Sequence, residues 1–186
     1  MFQKSVENVS FKFIRLNSAD FVKKFDCGDK DLNDFILYRS TEFHKYRLAV
    51  NYACVDAEDA NKVYAYCSLA NDKVAMGDFK DKTEFNRFRK ERGFPNEKRL
   101  KSYPAVKLCR LGVDVSVKKQ RIGTAILNYI KLMFSKNSMS GCRFLTVDAY
   151  LDAVPFYEKN KFKFMNEEDD DPHTRLMYYD LMKIAG

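Results

Sequence analysis

The residues best suited to chemistry stand together at 118–125, within "KKQRIGTAILNYI" (118–130). Lys118, Lys119 and Arg121 precede Gly123, and an apolar run opens at Ile122. A helix starting there leaves the N–H groups of its first turn unpaired and carries a partial positive charge. Phosphate is the group such an end binds. Gly123 lacks a Cβ, so a ligand can reach the main chain. The N–H groups of Arg121, Ile122, Gly123, Thr124 and Ala125, with the charges of Lys118, Lys119 and Arg121, fit a pyrophosphate. A capped helix with surface lysines has the same appearance, so the segment alone leaves both readings open.

The charge around this stretch is uneven. Of the net +7, residues 1–79 carry −1, residues 80–121 carry +9 and residues 122–186 carry −1. The excess in one block points to a polyanionic partner or cofactor. Within it, Arg87, Arg89, Lys90, Arg92, Lys98, Arg99 and Lys101 are interleaved with Phe88 and Phe94. An RNA backbone would be drawn there, with strong salt dependence. A lid with solvated charges is the alternative.

Other chemistries find less support. The five cysteines are scattered, odd in number and never spaced as CxxC, which argues against zinc or a disulfide framework and for buried thiols. No Ser/His/Asp order or metal-ligand spacing emerges. Cys109 reads as packing rather than a nucleophile, His44 as a helix-end residue and His173 as surface. Asp26 and Asp29 read as turn and cap residues. The early lysines are followed by no apolar run, and no stretch reaches the roughly 20 apolar residues of a membrane span, so a soluble, cytoplasmic protein is expected.

The elements that must hold these residues follow from periodicity. Alternation predicts a strand over 10–16, and Asp29 opens a helix over 29–46 with Leu32, Phe35, Ile36 and Phe43 on one face. Residues 48–56 and 62–70 read as a hairpin. The polar stretch 77–104 holds a helix around 81–92. A buried strand at 105–115, a helix over 122–135 with Ile126, Leu127 and Ile130 inward, and a strand at 143–150 imply a parallel crossover. Asp152 caps a short helix at 152–160, and strands at 162–165 and 175–184 close the chain. A single domain spanning 1–186, of mixed α/β class with helices on a mixed sheet, is the expected architecture.

The motifs also resemble a family. Gln120-Arg121-Ile122-Gly123-Thr124-Ala125 is similar to the Q/R-x-x-G-x-G/A signature of the GNAT acyl-CoA N-acyltransferases, and it follows a strand of the right character, "LCRLGVDV". Downstream, "AVPFYEKNKF" (153–162) resembles that family's A-x-x-F-Y-x-K-x-G-F segment. "FDCGDKDLNDFI" (25–36) resembles the opening of a branch that includes bacterial toxins acetylating the amino acid on charged tRNA. Lys161 stands where the pattern has glycine, and Tyr150 where asparagine is frequent.

The resemblance implies a central, mostly antiparallel sheet flanked by helices, with acetyl-CoA as donor and no metal. It places the CoA pyrophosphate on the N–H groups of Arg121 to Ala125 and the pantetheine arm along Leu111, Gly112 and Val113. A splay between the strands at 106–115 and 143–149 would admit the thioester. It makes Tyr157 the acid for the leaving thiolate; the alternative for Tyr157 is an aromatic packed under the sheet, as expected of Phe156. The implied function is N-acetyl transfer, with the α-amine of aminoacyl-tRNA as first acceptor. A small amine, a protein N-terminus and a non-catalytic CoA-binding module are the alternatives. A ribbon-helix-helix antitoxin and a homodimer are the further partners implied.

Overall fold

Periodicity in the sequence becomes clusters of buried side chains, found among the described residues in each of two compact units. The computed structural model describes residues 2–6, 9–17, 22, 24–94, 100–136, 140–167 and 171–184. One unit takes residues 1–70 and 108–130, the other 71–107 and 131–186.

The first unit holds β1 (Phe2–Val6), β2 (Val9–Arg15), β3 (Val50–Asp56), the start of β4 (Val63–Ala75) and the end of β5 (Ser102–Val113), in sheet order β1-β2-β3-β4-β5. The first four pair antiparallel, with Phe2 opposite Phe13, Phe13 opposite Cys54 and Ala53 opposite Tyr66. The helical segment runs α1 (Lys30–Asp34), a π-helical turn (Phe35–Arg39) and α2 (Ser40–Lys45). Asp29 caps α1 by accepting from the Leu32 N–H at 2.9 Å. Phe35 and Ile36 enter the core beside Phe25, Cys27, Val55 and Tyr66. Phe43, expected on the same face, is 38% exposed. The π turn explains this, because its wider spacing rotates α2 away from a 3.6-residue stripe. Asn51 ties the segment to the sheet: its amide donates to the Ser40 carbonyl at 2.8 Å, and its oxygen accepts from the Tyr66 hydroxyl at 2.6 Å.

The second unit holds the end of β4, α3 (Lys82–Glu91), the start of β5, β6 (Phe144–Tyr150), β7 (Lys163–Phe164) and β8 (Thr174–Asp180), in order β4-β5-β6-β8-β7. Helix α4 (Ile122–Lys136) begins in the first unit and ends in this one, and α5 (Val154–Lys159) follows β6. The expected parallel crossover is present: Ala105 pairs with Phe144 and Lys107 with Thr146, while β6 with β8 and β8 with β7 are antiparallel. Helix α3 lies inside the polar 77–104 stretch, capped by Asp81 through the Thr83 and Glu84 N–H groups. Phe85 and Phe88 of α3 pack with Val74, Tyr103, Phe144 and Tyr178.

Four boundaries differ from expectation. Strand β1 was not read from the sequence. β4 continues to Ala75 because Val74 is fully buried and Asp72 accepts from the Thr146 hydroxyl, so the strand carries a polar residue with a partner. Asp152 does not cap α5: the Ala153 N–H bonds the Tyr150 carbonyl at 2.9 Å, and that turn starts the helix at Val154 without a side-chain cap. β8 ends at Asp180, whose carboxylate accepts from the Met182 N–H at 3.1 Å and turns the chain into a 3-10 segment.

Candidate active site

At the end of β5 the chain is pinned before it turns. The Asp114 N–H donates to the Tyr64 carbonyl at 2.9 Å, and the Asp114 carboxylate accepts from the Ser116 N–H and hydroxyl at 2.9 and 2.6 Å. A 3-10 turn over Val115–Val117 follows. Lys119 and Arg121 then adopt left-handed backbone, with φ of 67° and 57°. For residues with a Cβ this conformation costs about 1–2 kcal/mol each, and such strain gathers at ligand sites.

Helix α4 opens at Ile122. Among the described residues, the N–H groups of Ile122, Gly123 and Thr124 have no main-chain acceptor, as a first helical turn requires. The Ala125 N–H differs: it donates to the Arg121 carbonyl at 3.0 Å. The helix thus takes up one of the five donors expected of this segment. Lys118, Lys119 and Arg121 are exposed. Unpaired amides, the helix end and three solvated cations form a donor set that fits a diphosphate.

Gly112 has a packing reason to lack a side chain. A Cβ there would stand 3.2 Å from the Phe25 ring and from the Leu32 side chain. Its neighbours Leu111 and Val113 are half-buried.

Tyr157 belongs to the second unit. It is 7% exposed, and its ring meets Phe156 and Phe162 edge-on at 5.2 and 5.3 Å between centroids. Phe156, expected to be the packed member of the pair, is half-buried. Lys161, in the glycine position of the family pattern, has φ of 68°, the left-handed region that glycine occupies without strain. Lys131 supports the end of α5: its Nζ donates to the Asn160 carbonyl at 2.6 Å and sits 3.9 Å from the Tyr179 ring centre. Burial pulls the Lys131 amine down to about 8.

The basic stretch divides. Arg87 and Lys90 are exposed. Arg92 is turned inward, 3.5 Å from the Phe88 ring centre, donating to the Phe88 carbonyl at 2.7 Å and to the Tyr178 hydroxyl, and lying 3.8 Å from Asp180. Arg89 donates to the Tyr103 hydroxyl at 2.8 Å. Arg92 therefore fits poorly as an RNA contact, because its guanidinium is committed within the protein. Lys98 and Arg99 lie outside the described residues.

The other residues behave as read. Asp26 and Asp29 form a turn and a cap, His44 sits in the last turn of α2, and His173 is exposed. All five cysteines are thiols rather than disulfides, and burial pushes the Cys54 thiol up to about 12. Among the described residues no group of His, Cys, Asp or Glu could hold a metal, and no helix is long and apolar enough to cross a membrane. Sequence reasoning missed Asn33, Asp114 and Lys131. It also missed a polar cleft of about 200 Å3 lined by Asp72, Asp78, Lys107, Thr146 and Asp148, in which Lys107 and Asp148 pair at 2.5 Å.

Comparison with known proteins agrees with this geometry. No curated protein matches the chain. Among solved structures, AtaT complexed with acetyl-methionyl-tRNAfMet superposes with a TM-score of 0.75 at 21% identity, covering 94% of this chain and 97% of that one. A tyrosine-to-phenylalanine mutant of KacT gives 0.73 at 21% identity, covering 94% and 97%. AtaTR bound with AcCoA gives 0.72 at 20% identity, covering 94% and 96%. These likenesses establish the fold. Residues 97–182, which include β5, the turn into α4 and Tyr157, match the acetyltransferase (GNAT) domain family.

Proposed function

We propose that this chain transfers the acetyl group of acetyl-CoA to the α-amine of aminoacyl-tRNA, as a single acetyltransferase domain. The observation that carries the reading is the turn between β5 and α4, with its unpaired Ile122–Thr124 N–H groups and exposed cations inside the GNAT-matched region. Support for the acceptor comes from full-length likeness to AtaT, a structure of which contains acetyl-methionyl-tRNA.

Acetyl-CoA supplies an activated thioester. Lys118, Arg121 and the Ile122–Thr124 amides hold its diphosphate, and the main chain of Leu111 to Val113 lies along the pantetheine arm. An α-amine has an ordinary pKa of roughly 7.7–8.0, so a useful fraction is neutral near physiological pH and attacks the thioester carbonyl. A main-chain N–H in Leu111–Val113 stabilises the negative oxygen that develops. As the new C–N bond forms and the C–S bond breaks, the amine proton leaves to water. The Tyr157 hydroxyl gives its proton to the departing sulfur and is reprotonated from solvent. Exposed Arg87 and Lys90 contribute to attraction of the tRNA backbone. A ribbon-helix-helix antitoxin and a second copy of the chain are the protein partners in this reading.

Thiol release from acetyl-CoA, measured with charged tRNA and separately with free amino acids and small amines, tests it. Turnover with charged tRNA that weakens steeply with salt is expected. Turnover with free amines and indifference to tRNA would overturn the acceptor and leave the small-amine alternative. CoA binding without turnover on any acceptor would leave the non-catalytic module.

A further inference from the structure

We propose that the loop over 25–33 is the positioning element of the diphosphate cradle, with Asp26 and Asn33 as its positioning residues. The inference rests on the cradle reading above.

The cradle needs outside support. Its two left-handed residues are strained, and the main-chain bonds spanning it locally are long: 3.1 Å from the Val117 N–H to the Asp114 carbonyl, and 3.4 Å for the Lys118 and Gln120 N–H groups. Strained backbone persists only where its surroundings over-determine it.

The loop supplies that constraint through paired bonds. The Asp26 carbonyl accepts from the Val115 N–H at 2.8 Å, and the Asp26 N–H donates to the Asp114 carboxylate at 3.0 Å. These two bonds grip the chain where β5 ends and the 3-10 turn begins. The loop itself is locked by side chains. One Asp26 carboxylate oxygen accepts from the Gly28 N–H and from the Asn33 amide, each at 2.8 Å. Asn33 returns its oxygen to the Cys27 N–H at 3.0 Å and to the Cys27 thiol at 3.1 Å. Asn33 stands on α1, so the loop is referred to a helix rather than floating.

A second anchor lies two residues before Asp114. Phe25 and Leu32 close over Gly112 of β5. A third reaches into the cradle. A Cβ on Gly28, which has φ of 82°, would stand 3.1 Å from the Lys118 Nζ. The ammonium of Lys118 thus lies against the bare backbone of Gly28. The Asp26 carboxyl is held below its ordinary value chiefly by the Gly28 N–H and then by the Asn33 amide, with a smaller contribution from the Lys118 charge. The pattern F-D-C-G-x-x-x-L-N thereby receives a physical account: Phe25 and Leu32 seat the loop, Asp26 and Asn33 lock it, and Gly28 makes room for Lys118.

The test is the affinity of the purified full chain for CoA, measured by calorimetry, with steady-state kinetics separating KM for acetyl-CoA from kcat. Asn33→Ala removes all three side-chain bonds to the loop and should raise the CoA Kd and the acetyl-CoA KM about tenfold, with kcat at saturation unchanged. Asp26→Asn keeps an oxygen that accepts the same two bonds and should lose no more than about threefold. Wild-type affinity in Asn33→Ala, or equal loss in Asp26→Asn and Asp26→Ala, would overturn the proposal. Gly123→Leu separates the two readings. If it abolishes CoA binding while Asn33→Ala does not alter it, the loop assignment falls and the cradle stands; if neither matters, the cradle itself falls. Should Asn33→Ala fail to fold, Gly28→Ala decides through its Kd: a several-fold rise supports the clamp, and no change rejects it.

Discussion

The cations of α3 and those at the mouth of α4 look alike in sequence, yet their surroundings separate them. Arg92 stacks on Phe88, bonds Tyr178 and approaches Asp180, which Arg143 also pairs at 3.0 Å. Its charge is part of the second unit's interior. Lys118, Lys119 and Arg121 are exposed beside amides that have no main-chain acceptor among the described residues. Aromatic neighbours make the difference: Phe88 and Tyr178 offer a face to a guanidinium, whereas the turn over 115–121 contains no aromatic residue. Charge counted along a chain therefore overstates the surface available to a polyanion.

Substitutions in these regions would break or sharpen this contrast. The largest effect belongs to Tyr157→Phe, which should lower kcat by about a hundredfold or more while sparing CoA affinity; parallel loss of CoA binding would count against the acid role. Arg92→Ala leaves Asp180 with one fewer cation and should destabilise the chain by roughly 3 kcal/mol in urea unfolding. The paired change Arg87→Ala with Lys90→Ala should stay within about 0.5 kcal/mol and instead flatten the salt dependence of tRNA binding. A stable Arg92→Ala with weakened tRNA binding would reverse the assignment. Gly123→Leu should weaken CoA about a hundredfold, the value of two lost charge-assisted hydrogen bonds, with calorimetry as the readout.

A smaller effect is expected at Lys131, whose amine is lowered by burial from 10.5 to about 8. Below the lower value both folded and unfolded chains hold the proton, and the folded state bears the burial of charge. Between the two values the unfolded chain keeps a proton that the folded chain has released, so this group's contribution to stability rises with pH. Wild type should gain relative to Lys131→Met between about pH 7.5 and about pH 9.5, by at most about 2 kcal/mol; a gain for the variant would contradict the sign. Smallest of all, Lys161→Gly relieves a left-handed residue and should stabilise by up to about 1 kcal/mol. A loss in melting temperature would show that the Lys161 side chain contributes more than its strain.

Much of this arrangement was legible in the sequence where one signal dominated. Ile126, Leu127 and Ile130 announced the inner face of α4, Asp29 announced a cap, and the strand–helix–strand order announced the crossover. The misses share a cause. The extension of β4 through Asp72 depends on Thr146, and the helical segment that carries the π turn is tied at Ser40 to Asn51, partners distant in sequence that local periodicity does not encode. Asn33 was visible only as a letter in a motif, since its role needs the geometry of Asp26 and Cys27. The inward turn of Arg92 likewise depends on Tyr178 and Asp180, far along the chain.

The central claim is that the first-turn amides of α4 grip the diphosphate of acetyl-CoA. A nitrogen-15 NMR titration of the full chain with CoA, and with dephosphorylated pantetheine as control, tests it most directly. The Ile122, Gly123 and Thr124 amides should shift strongly downfield with CoA and stay in place with pantetheine, while Ala125, already bonded to Arg121, moves least. Saturable CoA binding that leaves those three resonances unmoved would contradict the account.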